Sequence, residues 1–172
     1  IYPTVIYSKN SLSLVINGDC SLIGKHASYT TRAICSDGDI EIYGNGRCYL
    51  KAKRPIYAVG KITVDDVFLD IYSEYSYGIH SGTSSIYVYD ASIRVRGIRG
   101  MHTYINGSNI SFSGCDVDIS VSEMGLFSSG NIIIDDSHVK IVSDNTESNI
   151  STSSIDNTVG NFFSFFGLLI SL

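Results

Sequence analysis

The sequence predicts a right-handed parallel β-solenoid, an all-β stack of about six coils of 22–28 residues with three short strands each. Three observations carry the prediction: a recurring four-residue signature, a following strand of alternating apolar residues, and a fixed step from that strand to the next.

The signature opens each coil. It reads Val5-Ile6-Tyr7-Ser8, Ala33-Ile34-Cys35-Ser36, Pro55-Ile56-Tyr57-Ala58, Gly78-Ile79-His80-Ser81, Gly100-Met101-His102-Thr103 and Gly125-Leu126-Phe127-Ser128. Each has a compact residue or Val, a large aliphatic, a variable residue, then Ser, Ala or Thr. The second strand carries Leu12/Leu14, Ile40/Ile42, Ile62/Val64, Ile86/Val88, Ile110/Phe112 and Ile132/Ile134. Period-two alternation buries one face and exposes the other. Its starts are separated by 28, 22, 24, 24 and 22 residues. The third strand points Leu69/Ile71, Ile93/Val95, Val117/Ile119 and Val139/Ile141 inward, five residues beyond the second in each of the last four coils. A unit this short cannot bury its own apolar face, so neighbours must stack about 4.8 Å apart.

Coils one and two match at an offset of 28, which puts Cys20 and Cys48 at equivalent turn positions. Their spacing fits either a disulfide or a free, partly buried pair. The outward residues Lys51, Asp70, Arg94, Asp118 and Lys140 alternate in sign from coil to coil, as a stacked column favours. The coils span 1–143. Residues 144–172 read as a polar linker and an apolar C-terminal cap of the same domain, because an open solenoid end exposes apolar columns and strand edges. The tail can equally pack against another domain or subunit.

At 172 residues and 44% hydrophobic, the chain suits one domain with a sizeable core. A net charge of −5 and a pI near 5.2 argue against a nucleic-acid partner. No apolar run is long enough to span a bilayer, so the chain reads as soluble. It begins with Ile1, which suggests a mature or excised fragment.

The outward column of the first strand, Tyr7, Cys35, Tyr57, His80, His102 and Phe127, offers rings that can stack on the apolar faces of sugars. The same rings can instead stack on one another and only stabilise the rod. Tyr43, Tyr87 and Tyr89 on the second strand widen the candidate surface. His80 and His102 lack a third ligand, so no metal or other cofactor is expected. Turn carboxylates at Asp65, Asp66, Asp90, Asp135 and Asp136 suit turn chemistry better than acid–base catalysis. Arg94, Arg96 and Arg99 near Asp116 and Asp118 are the nearest approach to a polysaccharide lyase site.

The run Gly78-Ile79-His80-Ser81-Gly82 followed by Ser85-Ile86-Tyr87-Val88-Tyr89-Asp90-Ala91-Ser92-Ile93-Arg94-Val95 resembles right-handed β-helix repeats of surface and secreted proteins from gut-type bacteria. Many of those are labelled carbohydrate-binding domain-containing or simply uncharacterised. The resemblance covers about residues 1–143 and implies an extracellular or cell-surface setting and a polysaccharide or cell-surface glycan partner. No catalytic motif of the pectate lyases or polygalacturonases carries over.

The expectation is therefore a non-catalytic extracellular module that binds glycan through Tyr57, His80, His102, Phe127, Tyr87 and Tyr89. The alternatives are a structural spacer or adhesin segment without a small ligand, and a polysaccharide lyase or hydrolase.

Overall fold

The computed structural model describes residues 3–25, 29–104, 107–144, 150–152, 154–157 and 162–165. Parallel strands stack into a solenoid of about six turns, with no helix among the described residues. None is therefore long and apolar enough to cross a membrane.

Second strands form a sheet of their own, with seven strands from Leu12–Val15 to Ser154–Asn157. First and third strands share a 12-stranded sheet. In the middle coils they merge, so that Phe68–Ser81 and Ser92–Thr103 each run from a third strand into the next first strand. Every pairing is parallel, and the register follows the apolar pattern. Ile34 stacks on Ile6 and under Ile56, and Leu12, Ile40, Ile62, Ile86, Ile110 and Ile132 form one file. A one-residue slip would turn every such side chain to solvent, which is why the pattern determines the register.

From the second coil onward the files are dry, and Phe112 with at least eleven Ile and Leu side chains is fully buried. Each contributes about 1.5–3 kcal/mol by leaving water. In the first coil Leu12, Leu14 and Leu22 are only half-buried, having a stacked neighbour on one side. Buried hydroxyls close the first strands. Ser36, Ser81, Thr103 and Ser128 all donate to backbone carbonyls, which satisfies the polar groups at the corner of each coil. At the next corner a side-chain oxygen of one coil accepts the backbone N–H of the coil above: Ser11 from Asp39, Asp39 from Lys61, Ser85 from Asn109 and Asn109 from Asn131.

The turn after the second strand explains the aspartates. Asp66, Asp90 and Asp136 have φ of 48°, 45° and 43°, and Gly44 and Gly114 at equivalent positions have 121° and 67°. This is left-handed backbone, which Gly enters freely and Asp tolerates better than most residues. The column is a conformational one. Replacing Asp66 by Gly should change stability by less than about 1 kcal/mol, while Val there should cost about 1–2 kcal/mol. Urea denaturation of the two variants measures the difference; equal costs would mean that the carboxylate itself matters.

Three sequence expectations are corrected by the register. Tyr49, not Lys51, stacks beneath Asp70, because Lys51 falls opposite Tyr72. Asp70 forms its ion pair with Arg96, at 2.7 and 2.8 Å, rather than with Arg94 stacked above it. Cys20 and Cys48 lie in third strands, as register partners, and not in turns. Both are free thiols, Cys20 exposed and Cys48 buried, and burial together with the neighbouring Cys20 sulfur pushes the Cys48 thiol up.

Within the segment read as linker and cap, Ile150–Ser151, Ser154–Asn157 and Phe162–Phe165 pair in parallel with Leu126–Phe127, Asn131–Asp135 and His138–Ser143. The stack thus extends past Ser143. The rest of the apolar tail, from residue 166, lies outside the described residues.

Candidate functional site

The outward column of the first strand has the predicted order. Tyr7 pairs with Cys35, Cys35 with Tyr57, Tyr57 with His80, His80 with His102 and His102 with Phe127. Its two ends differ in character.

From Tyr57 to Phe127 the column is closed on itself. Ring centroids lie 5.2 Å apart for Tyr57–His80, 4.7 Å for His80–His102 and 4.6 Å for His102–Phe127. Tyr77 stacks flat on His102 at 4.2 Å, and Tyr104 meets it edge-on at 5.8 Å. His102 is left only 6% exposed. Both ring nitrogens of His80 and Nδ1 of His102 are buried without a hydrogen-bond partner.

Of the two arrangements the sequence allows, solvent-facing rings or rings stacked on one another, the packing has the second, with His102 nearly covered and His80 half-buried. Tyr77, the residue immediately before Gly78, was not in the expected column, and the merged strand brings it alongside. Burial lowers the His80 pKa to about 3, helped by His102 when it is itself protonated and by the positive charges of Arg54 and Arg32. Burial, with Arg99 nearby, lowers that of His102 to about 4. Both are neutral at pH 7 and serve as packing groups.

At the other end, Cys35 is the one small side chain in the column between Tyr7 and Phe127, and it is buried. Over it lies a groove of about 510 Å³, lined by Tyr7, Lys9, Arg32, Cys35, Asp37 and Tyr57 with Thr4 and Val59. Arg32 is largely buried, reaches the Cys35 sulfur with Nη1 at 3.1 Å, and sets its guanidinium 4.2 Å from the Tyr57 ring centroid. Tyr7, 48% exposed, donates its hydroxyl to Asp37 at 2.5 Å, which orients the ring and pushes the phenol pKa up. Burial raises the Cys35 thiol despite Arg32, so it is held as a neutral floor. The groove combines ring surface with a cation, a carboxylate and hydroxyls, the mixture that small-ligand sites use for area and orientation.

The remaining candidates are dispersed or engaged. Tyr87 and Tyr89 lie parallel, 6.3 Å apart, on the second-strand sheet, and neither lines the groove over Cys35. Arg96 is paired with Asp70, Arg99 with Glu123 at 2.5 Å, and Asp116 with His138 at 3.0 Å. Among the described residues no three His, Cys, Asp or Glu side chains converge as metal ligands.

Of the six site residues expected from sequence, Tyr57 alone lines the groove, and His80, His102 and Phe127 continue from it as packed rings. The sequence reading missed Arg32, Lys9 and Asp37. The available signal was the small residue Cys35 interrupting the aromatic file, flanked by charges at positions 32 and 37. No family model matches the chain, and no curated protein or solved structure matches it either.

Proposed function

We propose that this chain is a non-catalytic extracellular or cell-surface module that binds glycan in the groove over Cys35. The observation that carries the reading is the groove itself, where the aromatic column breaks between Tyr7 and Tyr57. Sugar rings present apolar C–H faces that suit the tyrosines, and hydroxyls that suit the Asp37 carboxylate and the Arg32 guanidinium. The proposed setting agrees with the resemblance of the coils to repeats of surface and secreted proteins.

Tyr7 gives the cleaner test, because it is exposed, whereas Tyr57 also packs on His80 and Arg32. Tyr7→Ala should weaken binding on a glycan array about tenfold, or ~1.4 kcal/mol, with little change in melting temperature. If Tyr7→Ala and Tyr57→Ala both keep wild-type binding, the groove is not the site.

A spacer or adhesin segment without a small ligand is the second reading, and the closed ring packing from Tyr57 to Phe127 favours it. A folded protein that retains no glycan on the array would support the spacer.

A further inference from the structure

We infer that the glycan is polyanionic, and that its path leaves the groove over Cys35 and continues around the basic end of the rod onto the third-strand face. This inference rests on the glycan reading above. Three independent features support the extension.

The first is charge. Residues 1–61 hold eight Lys and Arg against four Asp and Glu, while residues 62–172 hold four against thirteen. A protein of net charge −5 is therefore a rod with a basic end of +4 and a remainder of −9. The second is shape. A smaller concavity of about 140 Å³ shares Thr4 and Arg32 with the first groove, and shares Ile23, Gly24 and Lys25 with a third of about 710 Å³. The three adjoin around the corner between the first and third strands. The outer two each exceed the ~300 Å³ at which small-ligand pockets begin, so the path has room for more than one sugar unit.

The third feature is the side chains along it. Lys9 and Arg32 line the first groove, Lys25 the corner, and Lys51 and Lys53 the far groove. Lys51 and Lys53 share Glu74 at 3.4 Å each, but Lys9 and Lys25 have no carboxylate within 4 Å among the described residues. Two ammonium groups thus stand unneutralised. At the far end Tyr29, 64% exposed, packs its ring 4.7 Å from that of Tyr75, repeating the ring-and-cation character of the first groove.

A polyanionic glycan fits this path better than a nucleic-acid strand. Asp37 and Glu74 also line it and can accept from sugar hydroxyls, whereas a phosphodiester has no hydrogen to donate and is repelled.

Calorimetric titration of the full chain tests the inference with four probes: an oligogalacturonate hexamer, a heparin-derived hexasaccharide, maltohexaose and a dT12 oligonucleotide. At 50 mM NaCl at least one acidic hexasaccharide should bind at least about tenfold more tightly than maltohexaose, with the preference shrinking at 500 mM as charge is screened. The Lys9→Glu/Lys25→Glu double variant alters two exposed side chains and should fold normally. It should bind the acidic hexasaccharides no more than about twofold more tightly than maltohexaose, so that the acidic preference is lost.

Neutral and acidic sugars bound equally, and lost together in Tyr7→Ala, would overturn this inference and leave the glycan reading standing. An acidic preference that persists in the double variant would show that the path lies elsewhere. Tighter binding of dT12 than of either acidic sugar would overturn the ligand class, and binding of no oligosaccharide at any salt would overturn both readings.

Discussion

Lowering the pH from 7 to 5 is expected to remove roughly 4 kcal/mol of folding stability, about 2 from each of His80 and His102. Both rings are neutral in the folded chain because burial lowers their pKa to about 3 and about 4. An unfolded histidine titrates near 6.5. Between those values the unfolded chain binds more protons than the folded one, so acid favours unfolding. The contribution is complete above pH 6.5 and is lost as pH falls toward 4 and then 3.

The effect is large because a proton entering His80 has no acceptor nearby. Its nitrogens are sealed among Tyr57, Tyr77 and His102, with Arg32 and Arg54 adding like charge. Typical domains have only about 5–15 kcal/mol to lose. Urea denaturation at pH 7 and pH 5 measures the loss directly. A His80→Phe/His102→Phe variant should show a loss smaller by about 4 kcal/mol, since the rings are kept and the titrating nitrogens removed. An unchanged pH dependence in that variant would mean the two histidines are not the acid-sensitive groups.

Gly97→Ala is expected to cost about 2–6 kcal/mol, combining ~1–3 for a strained backbone with ~1–3 for overpacking. Gly97 has φ of 128° and sits where the strand Ser92–Thr103 shifts register against Phe68–Ser81. It stacks on Ser73, and a Cβ at Gly97 would lie 1.9 Å from the Ser73 carbonyl oxygen. That oxygen is backbone in the adjacent coil and cannot move without moving the coil. Gly18 supplies the control: its φ is 82°, but nothing lies within 4 Å of the corresponding Cβ. Gly18→Ala should therefore cost only ~1–2 kcal/mol. Thermal and urea denaturation of both variants compare them, and equal costs would remove coil-to-coil contact as the explanation.

How far the molecule was legible depended on whether a feature repeats. The inward files were readable because each coil restates the same alternation, and an error in one coil conflicts with the next. The pairing of Tyr57, His80, His102 and Phe127 followed for the same reason. Lys51 was misplaced because the constant step of the later coils does not hold in coil two, where Cys48 and not the residue five beyond Ile42 stacks under Leu69, and without that step the outward position at Tyr49 had no marker. The merger of third and first strands in Phe68–Ser81 was also illegible. It depends on bends in the backbone that no residue pattern near Tyr77 announces, and it brings Tyr77 onto His102.

The site shows the same division. That an aromatic file runs along the first strand is written in the sequence, and so is the concentration of basic residues before position 62. Neither says which rings remain accessible. Accessibility is settled between coils, where rings 4–6 Å apart seal the histidines at one end and a single small residue opens a groove at the other.

The solenoid, the register of its inward apolar files and its dry interior were thus determined by the sequence alone, because an alternating apolar pattern in a short repeat has one way to leave water. Only the tertiary structure decided where the surface is open and what charge surrounds the opening. Those properties arise from side chains 22 to 28 residues apart along the chain, brought together by stacking.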